Sequence, residues 1–156
     1  MVAALDLSSP LGQTLRLLGS MMCEARDNWW VIAGAAAALH GVNHPEVADV
    51  DVLASDRDAA ALLKRLGVEP LAVPPHPLFS SRLLGRWTAG PMIVEVMSGF
   101  HIRTGPTWRE IRPTTRKQVE LGGALLFVPA RVELAEMLLA VGRSKDLERA
   151  RRLTER

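Results

Sequence analysis

Residues 29–53 read WWVIAGAAAALHGVNHPEVADVDVL, and the fold turns on this stretch. Residues 29–33 are a compact apolar run of aromatic and β-branched side chains, the composition of a buried strand. Gly34 follows, then residues 35–39, AAAAL, with the highest helix propensity in the chain. Gly41 and Pro45 end that helix and open a loop. In residues 48–53, ADVDVL, Asp49 and Asp51 alternate with Val50 and Val52. Period two predicts a strand with both carboxylates on one face.

The flanking sequence supplies further helices and strands. Ser8-Ser9-Pro10 is a helix start, and Leu11, Leu15, Leu18 and Met22 recur at helical spacing until Asp27-Asn28 favours a turn. Ser55-Asp56-Arg57-Asp58 resembles a capping box, opening a helix of Ala59, Leu62, Leu63 and Leu66 that Gly67 closes. Residues 68–73 read as a short strand that Pro70 places at an edge, and residues 74–77 as a rigid proline loop. Residues 82–88 and 92–97 predict a hairpin, with Glu95 facing opposite to its apolar neighbours. Residues 100–116 are irregular and basic. Residues 116–120 and 124–128 form another predicted hairpin through Gly122-Gly123. Pro129 starts a helix with Leu134, Met137, Leu138 and Val141 on its apolar face, and Ser144 caps a last, mostly charged helix over 145–154.

The carboxylate pattern permits metal chemistry. Two carboxylates at i and i+2 on a strand point the same way, roughly 6–7 Å apart. Hard cations want such oxygen ligands, and Glu95 on a later strand is the candidate third. Two bound ions activate an attacking oxygen and steady a leaving phosphate oxygen. Gly34, where strand turns into helix, lets backbone approach a phosphate or simply permits close helix–strand packing. Each piece has a plainer reading as well: a solvated strand end for Asp-x-Asp, surface decoration for Glu95.

The joint arrangement resembles the nucleotidyltransferases of the DNA polymerase β-like superfamily. Their signature, an apolar residue, glycine, then glycine or serine, is matched by Ile32-Ala33-Gly34-Ala35. Their apolar–Asp–apolar–acid strand is matched by Asp49-Val50-Asp51-Val52, and their later acid by Glu95. Small bacterial members are the most similar, of the aminoglycoside-modifying and AbiEii-like toxin (toxin–antitoxin) types. Arg143-Ser144-Lys145-Asp146 looks like the Arg-x-Lys-Asp segment of the latter. The resemblance implies an α/β (α+β) fold with a small mixed sheet flanked by helices and a C-terminal helical pair. It also implies Asp49, Asp51 and Glu95 as catalytic residues and metal ligands for two Mg²⁺ ions. Gly34, Ala35 and Lys145 would contact the nucleotide, and a nucleoside triphosphate would be the substrate. Lys145 and Arg143 alternatively pair with Asp146 or Glu148.

Two positions depart from the pattern. Ala35 lacks the hydroxyl that serine would offer, and residues 43–48 carry no basic and hydroxyl pair before Asp49. The implied function is metal-dependent transfer of a nucleoside monophosphate to an acceptor hydroxyl on a small molecule, a protein or RNA. The alternative is a catalytically degenerate relative that binds nucleotide, RNA or a protein partner.

Composition bounds the rest. A chain of 156 residues, 48% hydrophobic and 23% charged, is expected to form one domain, with a core over about 9–128 and C-terminal helices over about 129–155. Lone Cys23 cannot form an internal disulfide and points to a reducing compartment, and its place on the first helix predicts a buried or half-buried thiol. No targeting or membrane-spanning segment is visible, so a cytoplasmic protein without a membrane partner is expected. A net charge of +2 does not argue for nucleic acid by itself. Arg103, Arg109, Arg112, Arg116 and Lys117 form a loose basic cluster open to RNA or solvent, and Trp87 and Trp108 either stack a base or pack. His40 and His44 lack a third ligand at metal spacing and read as structural.

Overall fold

The structure, a computed structural model, describes residues 5–42, 47–72 and 76–155. Helix α1 (Pro10–Met21) is capped by Ser9, whose Oγ accepts from the Gly12 N–H at 3.0 Å. Strand β1 (Trp30–Ile32) runs directly into helix α2 (Ala33–Leu39), and β2 (Asp49–Leu53) follows. Helix α3 (Asp56–Leu66) ends at Gly67, which adopts the left-handed conformation. A two-residue strand β3 (Phe79–Ser80) precedes the hairpin of β4 (Leu83–Trp87) and β5 (Ile93–Ser98). Strands β6 (His101–Thr104) and β7 (Thr107–Glu110), then β8 (Lys117–Leu121) and β9 (Ala124–Val128), form two more hairpins. Helices α4 (Arg131–Val141) and α5 (Ser144–Thr154) end the chain as a packed pair.

The central sheet has the order β1-β2-β5-β4 and is mixed: β2 and β5 are parallel, and the two outer pairings are antiparallel. Period two divides its side chains. Val31, Val50, Val52, Val94 and Val96 are wholly buried in the main core. Each contributes roughly 1.5–3 kcal/mol by leaving water. The opposite face carries Asp49, Asp51 and Glu95, and beyond them Ile32, Leu53 and Met97 form a second, smaller apolar cluster. Helices α1 and α3 and the β8–β9 hairpin cover the valine face, while α2 packs against β2, α4 and α5.

Several local expectations are corrected. Helix α1 stops at Met21, short of Asp27-Asn28. The Arg26 and Asp27 N–H groups donate instead to the Asp58 carboxylate at 3.0 and 2.8 Å. Asp58 therefore does not complete a capping box, although Ser55 Oγ does accept from the Asp58 N–H at 3.2 Å. Residues 68–72 form no strand, because residues 69–72 are exposed and make a single ladder-like bond, Leu71 N–H to the Leu84 carbonyl at 2.8 Å. The basic stretch 100–116 holds the β6–β7 hairpin, hidden from the sequence because only Ile102 of its eight strand residues is buried. Helix α4 begins at Arg131 rather than at Pro129, and Arg143 rather than Ser144 is the N-cap of α5. Cys23 follows α1 and is exposed, not buried. The loop call on residues 74 and 75, and His44, lie outside the described residues.

Candidate active site

The site follows from strand geometry. Asp49 and Asp51 occupy alternate positions of β2, and the parallel register sets Glu95 of β5 directly beside Asp51. One carboxylate oxygen from each of the three lies within 4.8 Å of the others, a set suited to a metal ion. All three are partly accessible, and no fourth residue joins the group among the described residues. Burial, then the charges of Asp49 and Glu95, hold the Asp51 carboxyl well above its usual range. Burial and the Asp49 charge also raise Glu95, partly offset by Arg86, whose Nε lies 3.4 Å from Glu95. This crowding of hard oxygen donors is what a divalent cation relieves, so the residues present fit a divalent metal ion.

The triad opens into a cleft of about 340 Å³ between the sheet, the β3–β6 strands and α4–α5. Its apolar walls include Phe79, Phe100, Met97, Met137 and Leu138. The rings of Phe79 and Phe100 lie 5.9 Å apart, His76 stacks on Phe79 at 4.8 Å, and the Arg143 guanidinium sits 5.1 Å above Phe79. A cationic wall faces the triad. Arg143 forks onto Asp146, with Nε–Oδ2 at 2.7 Å and Nη2–Oδ1 at 3.2 Å, while Lys145 is exposed at the rim and Arg149 is buried. Pairing of Arg143 with Asp146 is the helix-end reading of that segment; Lys145 nevertheless lines the cleft.

The strand-to-helix junction departs from the expected boundaries: β1 ends at Ile32 and α2 begins at Ala33, so Gly34 lies within the helix, and Ala33 takes the left-handed conformation at φ 58°. Gly34 is instead the position whose side chain would face the cleft. A Cβ there would lie 2.8 Å from Arg149 Cζ and Nη2, closer than atoms tolerate. Gly34 lines the cleft, but the methyl of Ala35 is 1% exposed and belongs to the core, so Ala35 presents no side chain to the site.

Other candidates do not reach the cleft. His40 is half-buried, its Nε2 2.8 Å from the Pro129 carbonyl, and burial lowers its pKa. Trp29 is core, Trp87 packs against it, and Trp108 is exposed. Arg103, Arg109 and Arg112 project from the exposed β6–β7 region, Lys117 is exposed, and Arg116 lies over the Phe127 ring at 3.4 Å. Glu46 and its neighbours before Val47 are outside the described residues. Sequence reasoning missed Arg149. Its trace was the spacing of Asp146, Ala150 and Leu153, which marks a buried face on α5 and carries Arg149 with it.

The chain has the fold of the nucleotidyltransferases. A candidate nucleotidyltransferase of Thermotoga maritima superposes with a TM-score of 0.71 at 22% identity, over 89% of each chain. The antibiotic-resistance factor ANT(2'')-Ia, in complex with adenylyl-2''-tobramycin, gives 0.56 at 11% identity, over 92% of this chain and 86% of that one. A nucleotidyltransferase-like protein of Paracoccidioides brasiliensis gives 0.57 at 17% identity, over 94% of this chain and 74% of that one. No family model and no curated protein matches the chain. No helix among the described residues is long and apolar enough to cross a membrane.

Proposed function

We propose that the protein transfers a nucleoside monophosphate from a nucleoside triphosphate to an acceptor hydroxyl. The observation that carries this reading is the convergence of Asp49, Asp51 and Glu95 on one cleft beside Gly34. Asp49, Asp51 and Glu95 would hold Mg²⁺, two ions in the full scheme, and Mg²⁺ bound there supplies Lewis-acid polarisation of phosphoryl oxygens. In the transfer, the acceptor oxygen bonds to the α-phosphorus as the bond to the β-phosphate bridging oxygen breaks. Pyrophosphate leaves with that electron pair. The hydroxyl proton passes to the Glu95 carboxylate and then to solvent. Lys145 at the rim neutralises charge on the entering nucleotide, and the apolar walls exclude water from the reacting groups.

The acceptor is a hydroxyl on a small molecule, a protein side chain or an RNA end. The adenylyl-2''-tobramycin bound to ANT(2'')-Ia makes a small molecule a natural first trial. Calorimetry with ATP, CTP, GTP and UTP, with and without Mg²⁺, tests the site. Metal-dependent binding is expected, and it is expected to vanish in Asp49→Asn and Asp51→Asn. Nucleotide binding indifferent to those substitutions overturns the metal site. Transfer of radiolabel from an α-labelled triphosphate into a cell extract then tests activity and acceptor together.

A further inference from the structure

We propose that Arg86 is a positioning residue that holds the Glu95 carboxylate in the orientation a divalent cation needs. This rests on the metal-site reading above and adds a residue that the resemblance did not supply. Strand register sets charged side chains in one row. Glu95 of β5 pairs with Asp51 of β2 on one side and with Arg86 of β4 on the other. Directly paired residues point to the same face of a sheet, and neighbouring strands stand about 4.8 Å apart. Glu95 therefore has a carboxylate on one side and a guanidinium on the other, with Arg86 Nε 3.4 Å from Glu95 Oε1. Arg86 does not line the cleft, so it acts on the site through Glu95. Its backbone is fixed from the core side by both neighbours. Gly85 is buried and a Cβ there would run into Leu63 of α3, while Trp87 packs against the main core.

Without Arg86, Glu95 would leave the row. Asp49 and Asp51 repel a third carboxylate, and a glutamate side chain is flexible enough to turn away into solvent. The Arg86 contact supplies the opposing pull and engages one oxygen, leaving the other for the cation. A ligand held in this way loses little freedom when the ion arrives. Removing a group that orients a metal ligand typically weakens binding about 10- to 100-fold. A guanidinium near a cation site also repels the ion, an effect of opposite sign. Arg86 is 45% exposed, so water screens that longer-range repulsion, whereas orientation depends on direct contact. Orientation wins, and the loss of Arg86 weakens metal binding. The same exposure softens the contact itself, which sets the expected effect at the lower end of the range.

The test is titration of the full-length protein with Mn²⁺ in the absence of nucleotide, following the electron spin resonance of the free ion. Wild type is compared with Arg86→Met, Arg86→Lys, Glu95→Gln and the double variant of Arg86→Met with Glu95→Gln. Thermal scans in chelator accompany each protein. Arg86→Met is expected to bind Mn²⁺ about 10-fold more weakly, and Arg86→Lys to recover part of that loss. Because Arg86 acts through Glu95, the double variant binds no more weakly than Glu95→Gln alone. Unchanged or tighter Mn²⁺ binding in Arg86→Met overturns the proposal, and so does an additive loss in the double variant. Where Arg86→Met fails to fold, Arg86→Gln decides on the same readouts. Mn²⁺ binding that is lost in Asp49→Asn but indifferent to Arg86→Met keeps the metal site and removes this role of Arg86. Absence of Mn²⁺ binding by the wild type removes both. Binding weakened by Arg86→Met, without any nucleotide transfer by the wild type, keeps Arg86 and removes the transfer reading.

Discussion

Ala33 holds a backbone conformation, and the Asp51 carboxylate an environment, that their own chemistry disfavours. A non-glycine residue at φ 58° costs roughly 1–2 kcal/mol, and Ala33 bears this where β1 turns into α2. Ala33→Gly removes the strain but adds disorder to the unfolded chain, worth about 0.5–1 kcal/mol. The net expectation is a gain of about 0.5–1 kcal/mol in urea unfolding, and a loss would show that the turn relaxes with alanine in place. Asp51 binds its proton more tightly folded than unfolded. Its share of stability is complete below the unfolded value near 3.8 and drains away as pH rises to the folded value. In chelator at neutral pH, Asp51→Asn should therefore raise stability by about 1 kcal/mol, about 3 °C in a thermal scan. Magnesium should stabilise the wild type but not this variant.

Among the elements, α4 is anchored by Glu133. Its carboxylate accepts from the N–H and Oγ1 of both Thr114 and Thr115, at 2.5–3.2 Å, tying the segment before β8 to the first turn of the helix. Burial opposes its ionisation, yet these bonds outweigh it and lower the Glu133 carboxyl below 4.5. The stabilisation is thus fully present above the unfolded value and is lost as pH falls through the folded one. Glu133→Gln should cost about 1–2 kcal/mol at pH 7 and nothing in acid, measured by denaturant titration across pH 3–7. Elements with a strong period were legible from sequence. The DVDVL alternation of β2 and the 3.6-residue pattern of α1 come from side-chain geometry within a few residues. The β6–β7 hairpin was not, since strands reading HIRT and TWRE bury almost nothing and carry no alternation.

Across the whole molecule, Arg131 joins distant pieces. Its Nε donates to the Leu153 carbonyl at 2.6 Å and its Nη1 to the His40 carbonyl at 2.7 Å, satisfying the C-terminal ends of α5 and α2 together. Arg131→Met is expected to cost about 2–3 kcal/mol and to loosen α5, seen as faster amide exchange around residues 146–153. The strand–helix–strand unit, the shared face of Asp49 and Asp51, and the acid at Glu95 were legible along the chain, because those depend on local periodicity. Long-range packing set Glu95 beside Asp51, turned the chain at Ala33 and brought Arg149 into the space beside Gly34. Strand register and the packing of α5 join residues far apart in sequence. Periodicity within one segment carries no information about which distant side chain will occupy its open side.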